Sequence, residues 1–233
     1  MTKYKFTWSS IEGEYSEFLK NGYQIITCEE YVKQKGKLSQ KTLVNRIDID
    51  HSIQKADNLL DIFDRLNIKG TFFVRLHAPE YNPFSFENYK VLKRLLKSGH
   101  ELGYHSEIVD QSKIWNEDEE ACLIRDLKIL GTMLNYQVKS VASHGGDTGY
   151  NNLDFWKSNK PQDYNLLYEA YDKEPEFNLF QESFYISDSE WTQWKCYNKG
   201  ILNPDDRRSP SEHLKDNHSL IYFLIHSDTY FNH

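Results

Sequence analysis

Leu43-Val44-Asn45-Arg46-Ile47-Asp48-Ile49-Asp50 is the stretch that decides how this chain folds. Leu43 to Ile47 reads as a strand, and it ends on two acids one residue apart. Ser52 then stands where a helix N-cap belongs, and Ile53, Ala56, Leu59, Leu60, Phe63 and Leu66 follow at helical spacing. A strand that ends in polar groups and passes at once into an amphipathic helix is the repeating unit of α/β architecture.

The unit recurs downstream. Gly70 to Leu76 (GTFFVRL) reads as a second strand, and Pro83 and Ser85 open a helix that carries Tyr89, Leu92, Leu95 and Leu96 inward and stops at Gly99. Glu101 to His105 is a third strand. Asn116 with Glu119 makes a capping-box-like start to a helix running through about Leu134. Lys139 to Ser143 is a fourth strand, ending at His144. From Tyr150 to Asn217 the pattern is irregular, apart from a strand at Ser183 to Ser187 that ends at Asp188. Leu220 to Ile225 is the last strand and ends at His226. Upstream, the first 42 residues supply a helix (Ile11 to Asn21), a strand (Tyr23 to Thr27) and a short helix. Whether that strand joins the same sheet is left open.

Asp48 with Asp50, His105, His144, Asp188 and His226 therefore each close a strand-like run. In a (β/α) barrel the C-terminal strand ends converge on one mouth, where catalytic groups sit. The expected fold is one α/β domain over residues 1–233, a single (β/α) barrel of seven strands with residues 1–42 preceding its core.

Composition narrows the function. The 35 acidic and 28 basic side chains give a net charge of −7 and are spread along the chain, with no basic stripe for nucleic acid. The longest apolar run, Leu220 to Ile225, is too short to span a bilayer, and Met1 to Phe6 lacks the apolar region of a secretory signal. Cys28, Cys122 and Cys196 are odd in number and far apart, as expected of reduced thiols in a cytoplasmic protein. Aromatic residues make up 15%, which suits either an aromatic core or a cleft that stacks on sugar rings.

Arg46 to Asp50, Gly70-Thr71-Phe72-Phe73 and Gly99-His100-Glu101-Leu102-Gly103-Tyr104-His105 resemble the first motifs of the polysaccharide deacetylases, the carbohydrate esterase 4 group. Tyr185-Ile186-Ser187-Asp188-Ser189 with Trp191 and Trp194, then Leu224-Ile225-His226, resemble its late motifs. The likeness spans about residues 40 to 230 and is nearest in form to a bacterial subgroup of surface-polysaccharide gene sets with a D-x-D first motif. It implies a NodB-like barrel and a hydrolase that uses a divalent metal, zinc being well suited, to remove an acetyl group from an N-acetylated sugar. By the same resemblance Asp48 is the general base, Asp50 and His105 bind the metal, His226 is the general acid, and Asp188 orients His226. The chemistry needs such an ensemble, because an amide is a poor electrophile, water a poor nucleophile and an amine a poor leaving group until protonated.

One position departs from the family pattern. The usual second histidine, four residues after the first, is Val109 here. His144 is the expected third metal ligand because successive strands deliver their ends to one mouth, with Glu107 and then His51 as the other candidates. Arg75, Trp191 and Trp194 are candidate substrate-binding residues, each with a packing role as its alternative. His77, His213, His218 and His233 are expected at the surface. Two other functions stay open: hydrolysis of a small amide, and glycan binding without catalysis.

Overall fold

The computed structural model describes residues 4–38, 40–173 and 175–232. Ten strands of these residues form one sheet: β1 (Gln24–Ile26), β2 (Thr42–Ile49), β3 (Thr71–Val74), β4 (Glu101–Ser106), β5 (Ser140–Ser143), β6 (Tyr168–Glu169), β7 (Phe184–Ser187), β8 (Lys195–Asn198), β9 (Ile201–Asn203) and β10 (Leu220–His226). Their order is β6-β5-β4-β3-β2-β10-β7-β8-β9, parallel as far as β7 and antiparallel through the β8–β9 hairpin. β1 answers the open question, since it pairs with Thr42 to Val44 of β2. β3 takes Arg46 to Ile49, while β10 pairs with Thr42 to Asp48. β1 and β3 therefore share one edge of β2, and β10 lines the other.

Among the described residues seven α-helices accompany the sheet: α1 (Trp8–Lys20), α2 (Cys28–Gln34), α3 (Ile53–Leu66), α4 (Phe86–Lys97), α5 (Ile108–Trp115), α6 (Glu119–Leu134) and the short α7 (Leu179–Glu182). Ser52 caps α3 as read, its Oγ accepting from the Lys55 amide at 3.3 Å. The start of α6 is corrected. Its cap is Asp118, which accepts from the Ala121 amide at 2.8 Å, while Asn116 ends α5 with φ at 55°. Among the described residues no helix is long and apolar enough to cross a membrane.

On the central strands neighbouring residues alternate between two apolar clusters. Leu43, Ile47, Phe72, Leu102, Val141, Ile221 and Phe223 pack in the larger one with α1, α3, α4 and α6. Val44, Phe73, Ala142, Tyr168, Tyr185, Tyr222 and Leu224 form the smaller one, contributed almost wholly by strands and the segments flanking them. A sheet buried on both faces needs nearly continuous apolar strands, and all eight positions of β2 are buried.

The inner cluster shows the curvature. Tyr222 of β10 donates from its hydroxyl to the Ala170 carbonyl beside β6 at 3.1 Å. In a flat sheet those strands, five steps apart, would lie roughly 24 Å from each other. The Tyr171 and Tyr185 hydroxyls also meet at 3.3 Å, bringing the β6 edge to β7. No ladder joins β6 to β7 among the described residues: the ten strands form one strongly curved, mostly parallel sheet, with seven strands from β6 to β7 in its parallel run and β1 parallel beside them. β6 is only two residues long, too short to offer a partner strand a full edge.

Candidate active site

Strand parity gathers the polar groups. Side chains alternate across a strand, so Asp48 and Asp50 share the inner face with Val44, His105 is two residues from Gly103 opposite Phe73, His144 follows Ala142, and His226 follows Tyr222 and Leu224. These residues meet at the C-terminal ends of the parallel strands. Asp48 and His226 occupy paired register positions on β2 and β10.

Asp48 is held from below. Arg46, two residues earlier on the same face and fully buried, donates from Nε to Asp48 Oδ1 at 2.9 Å and from Nη2 to Oδ2 at 2.7 Å. The guanidinium lies between the rings of Tyr171 and Phe73, 4.5 and 5.3 Å from their centroids. Burial alone would raise the Asp48 pKa, but the charges of Arg46 and His105 outweigh it and hold the carboxyl below its ordinary range.

His105 Nδ1 lies 2.8 Å from the Ala142 carbonyl, which can only accept, so that nitrogen carries a proton. Nε2 then faces Asp50 Oδ1 at 3.3 Å and Asp48 Oδ2 at 3.5 Å. A nitrogen lone pair opposed to two carboxylates calls for a positive charge between them, either a proton or a cation. Burial lowers the His105 pKa, yet Asp48 and Asp50 raise it further, and the net shift is upward. Asp50 Oδ1 is buried and has no hydrogen-bond partner. Burial would raise the Asp50 pKa, but the adjoining His105, then His226, drive it far below the usual carboxylate value.

His226 closes the other side. Its Nδ1 lies 2.6 Å from Asp188 Oδ1, and its backbone amide donates to both Asp188 oxygens at 3.1 Å. Burial pulls the His226 pKa down, but the fully buried Asp188 carboxylate overcomes it and pushes it up to about 9. Nε2 points back into the mouth, 3.8 Å from Asp50 Oδ2. Trp191 lies beside it, its ring centroid 5.3 Å from that of His226 and 5.6 Å from that of His51. Trp191 has φ at 60°, a left-handed conformation that a bulky residue rarely adopts, and it remains 40% exposed.

Asp48, Asp50, His105, His226, Asp188 and Trp191 thus come together. His144 stands at the rim with its ring 5.2 Å from His105, edge to face, and its buried Nδ1 has no hydrogen-bond partner. No set of ligand atoms from Asp50, His105 and His144 lies within 4.8 Å of one another. Glu107 points its Oε1 at Arg75, which donates from Nε at 3.0 Å and Nη2 at 2.5 Å, and its Oε2 is buried without a partner. Val109 is packed in the larger apolar cluster. His51 is half-exposed and pairs with Glu80 at 3.3 Å.

Two substrate-binding expectations are corrected. Arg75 is spent within the protein, on Glu107 and, through Nη1, on the Asp50 carbonyl at 3.2 Å, so it braces the turn after β2. Trp194 is fully buried against Tyr4, Phe6 and Phe223 and offers no face to a sugar. Arg46 was missed by the sequence reading as a functional residue, although its i, i+2 spacing from Asp48 on one strand face is a legible signal. His213, expected at the surface, is fully buried, and His218 and His77 are half-buried. His233 lies outside the described residues.

No family model matches the chain, and no curated protein matches it. Solved structures do. A polysaccharide deacetylase from Bacillus cereus, Bc1974, aligns with a TM-score of 0.50 and 18% identity over 81% of this chain and 80% of that one. The catalytic domain of a peptidoglycan N-acetylglucosamine deacetylase from Eubacterium rectale aligns with a TM-score of 0.48 and 17% identity, over 82% and 78%. A carbohydrate esterase 4 family pseudoenzyme from Bacillus anthracis, BA3943, aligns with a TM-score of 0.47 and 15% identity, over 82% and 58%. At these identities the likeness is one of fold. The chain resembles the polysaccharide deacetylases in its motifs and shares the fold of Bc1974.

Proposed function

We propose that this chain is a cation-dependent hydrolase that removes the acetyl group from an N-acetylated sugar of a bacterial surface glycan or its precursor. The supporting observation is the pairing, across one mouth, of a carboxylate held ionised by Arg46 with an imidazole held protonated by Asp188. A base and an acid with opposed environments are the requirement for hydrolysing an amide at neutral pH.

Asp50 and His105 would hold a divalent cation, since an unpartnered carboxylate oxygen and a fixed lone pair face each other at 3.3 Å. When bound, that ion would polarise the acyl carbonyl and ease deprotonation of water, a role zinc fills well. His144, whose ring lies 5.2 Å from that of His105, is our choice for a third ligand. Asp48 takes a proton from the attacking water as its oxygen bonds to the acyl carbon. Arg46 keeps Asp48 ionised and aimed, at the expense of some basicity. His226 delivers its Nε2 proton to the sugar nitrogen as the C–N bond breaks, releasing acetate and the free amine. Asp188 holds the imidazole through Nδ1. Trp191, exposed beside His226, gives a flat apolar face for a pyranose ring. We read residues 1–233 as one such domain, and the three buried free cysteines suit a reducing compartment.

The test is acetate release from chitooligosaccharides, nucleotide-linked acetamido sugars and small amides, with zinc supplied and then chelated. Chelator-sensitive release from an acetamido sugar is expected. Release from small amides alone would move the substrate class. Absence of release from every substrate, with saturable binding of chitooligosaccharide, would replace this reading with that of a glycan-binding domain. The residue Val109 and the unclosed ligand set favour that second reading.

A further inference from the structure

The flank of the sheet, away from the mouth, carries a second cluster of donor atoms. Cys196 lies on β8, Asp206 in the segment after β9, and His213 in the 3-10 turn Pro210–Asp216. Cys196 and His213 are fully buried, and the Asp206 carboxylate is 9% exposed. We propose that these three residues bind a thiophilic divalent cation of the zinc class at a structural site separate from the mouth.

The geometry is that of an open tetrahedron. Cys196 Sγ lies 3.5 Å from His213 Nε2, which lies 3.7 Å from Asp206 Oδ1. All three atoms fall within 4.8 Å of one another. Ligands at about 2.0–2.3 Å from one tetrahedral centre stand roughly 3.3–3.6 Å apart, so little movement is needed. The histidine is already oriented. Its Nδ1 faces Asp216 Oδ2 at 3.4 Å, the carboxylate–imidazole arrangement that turns Nε2 toward a metal. Without a cation, Cys196 and His213 share only one long sulfur–nitrogen contact, an uneconomical use of two fully buried polar side chains.

Arg208 is the competing cation. It donates to Asp206 Oδ1 at 2.9 Å and Oδ2 at 2.7 Å, and reaches Asp216 at 2.8 Å. Asp206 Oδ1 also accepts the Arg208 amide, but at 3.4 Å, so a cation would replace that long contact while the guanidinium orients the carboxylate from outside. A cavity of about 930 Å³ lined in part by Asp206 and Arg208 reaches the carboxylate side of the cluster. Bound there, the ion would fasten the β8–β9 hairpin to the 210–216 turn. That turn in turn grips α1, the Ser211 amide donating to Glu14 at 2.6 Å.

Cobalt(II) titration of the full chain tests this, because thiolate–cobalt bonding absorbs in the near ultraviolet and the mouth contains no sulfur. The expected result is a saturable charge-transfer band in the wild type that is lost in both Cys196→Ser and His213→Gln, and displaced by zinc. Cys28 and Cys122 contact Thr71 and Glu117 and have no histidine partner among the described residues, so they should give no band. A wild type that shows no band overturns the proposal whatever the variants do. A band that survives in Cys196→Ser with its circular dichroism intact also overturns it. Neither outcome depends on acetate release.

Discussion

The mouth and the flank each hold a buried histidine beside a carboxylate, yet the two imidazoles are pushed in opposite directions. His226 sits 2.6 Å from Asp188 and rises to about 9. His213 sits 3.4 Å from Asp216 and is lowered. Burial opposes the charge in both cases. Asp188 is fully buried and grips His226 by ring and backbone, so its charge outweighs that penalty. Asp216 is about a third exposed and shares its Oδ2 with Arg208, whose own positive charge also bears on His213. Having an acid beside it does not protonate a histidine; the acid's other commitments decide. The same contrast divides the two tryptophans, Trp191 open at the mouth and Trp194 sealed in the flank.

The contrast is most easily broken at the catalytic pair. Asp48→Asn and His226→Ala should each lower acetate release from an acetamido sugar by about 10²–10⁴. An activated aryl acetate leaves without needing a proton, so His226→Ala should hydrolyse it nearly as the wild type does. Undiminished amide hydrolysis in both variants would remove the functional meaning of the mouth. Next in size is Trp194→Ala, which should cost about 3–5 kcal/mol in urea unfolding, whereas Trp191→Ala should stay within about 1 kcal/mol and act instead through KM.

Asp188→Asn sharpens the comparison by giving His226 a neutral partner. Its pKa should fall from about 9, followed by imidazole NMR in cation-free protein. The sign for stability follows from the raised value. The wild-type pair contributes fully below the unfolded pKa of about 6.5, and that contribution is lost as pH rises through about 9. Urea midpoints of the wild type should therefore decline across that interval by more than those of Asp188→Asn. Smallest is Asp216→Asn, a partly exposed pair worth about 0–1 kcal/mol in the same assay. A larger loss there would mean that the flank pair resembles the mouth pair after all.

The regular part of the chain was legible because β2, β3, β4, β5 and β10 are buried on both faces. Such strands must be written as dense apolar runs, and their polar ends stand out against them. The convergence of Asp48, Asp50, His105 and His226 followed from those ends. The β8–β9 hairpin was missed because β8 buries only Cys196, β9 is exposed throughout, and neither carries such a run. Its signal lay in the turn, where Lys199 and Gly200 both take positive φ, the two-residue connection of a tight hairpin. α5 was hidden by reading His105 to Val109 as a ligand motif alone. Trp194 and His213 mark a harder limit. A tryptophan near site residues and an isolated histidine carry no local pattern, and only distant partners such as Tyr4, Phe223 and Cys196 decide their burial.

The strand that carries Asp48 has neighbours along both edges, β10 on one and β1 then β3 on the other. Hydrogen exchange gives this a time dimension. The amide protons of Arg46 to Ile49 have no local route to solvent and should exchange only when the whole molecule opens. Those of β9, exposed at every position and laddered on one side, should exchange through small openings many times sooner. Asp48 is thus as long-lived in its place as the core that carries it.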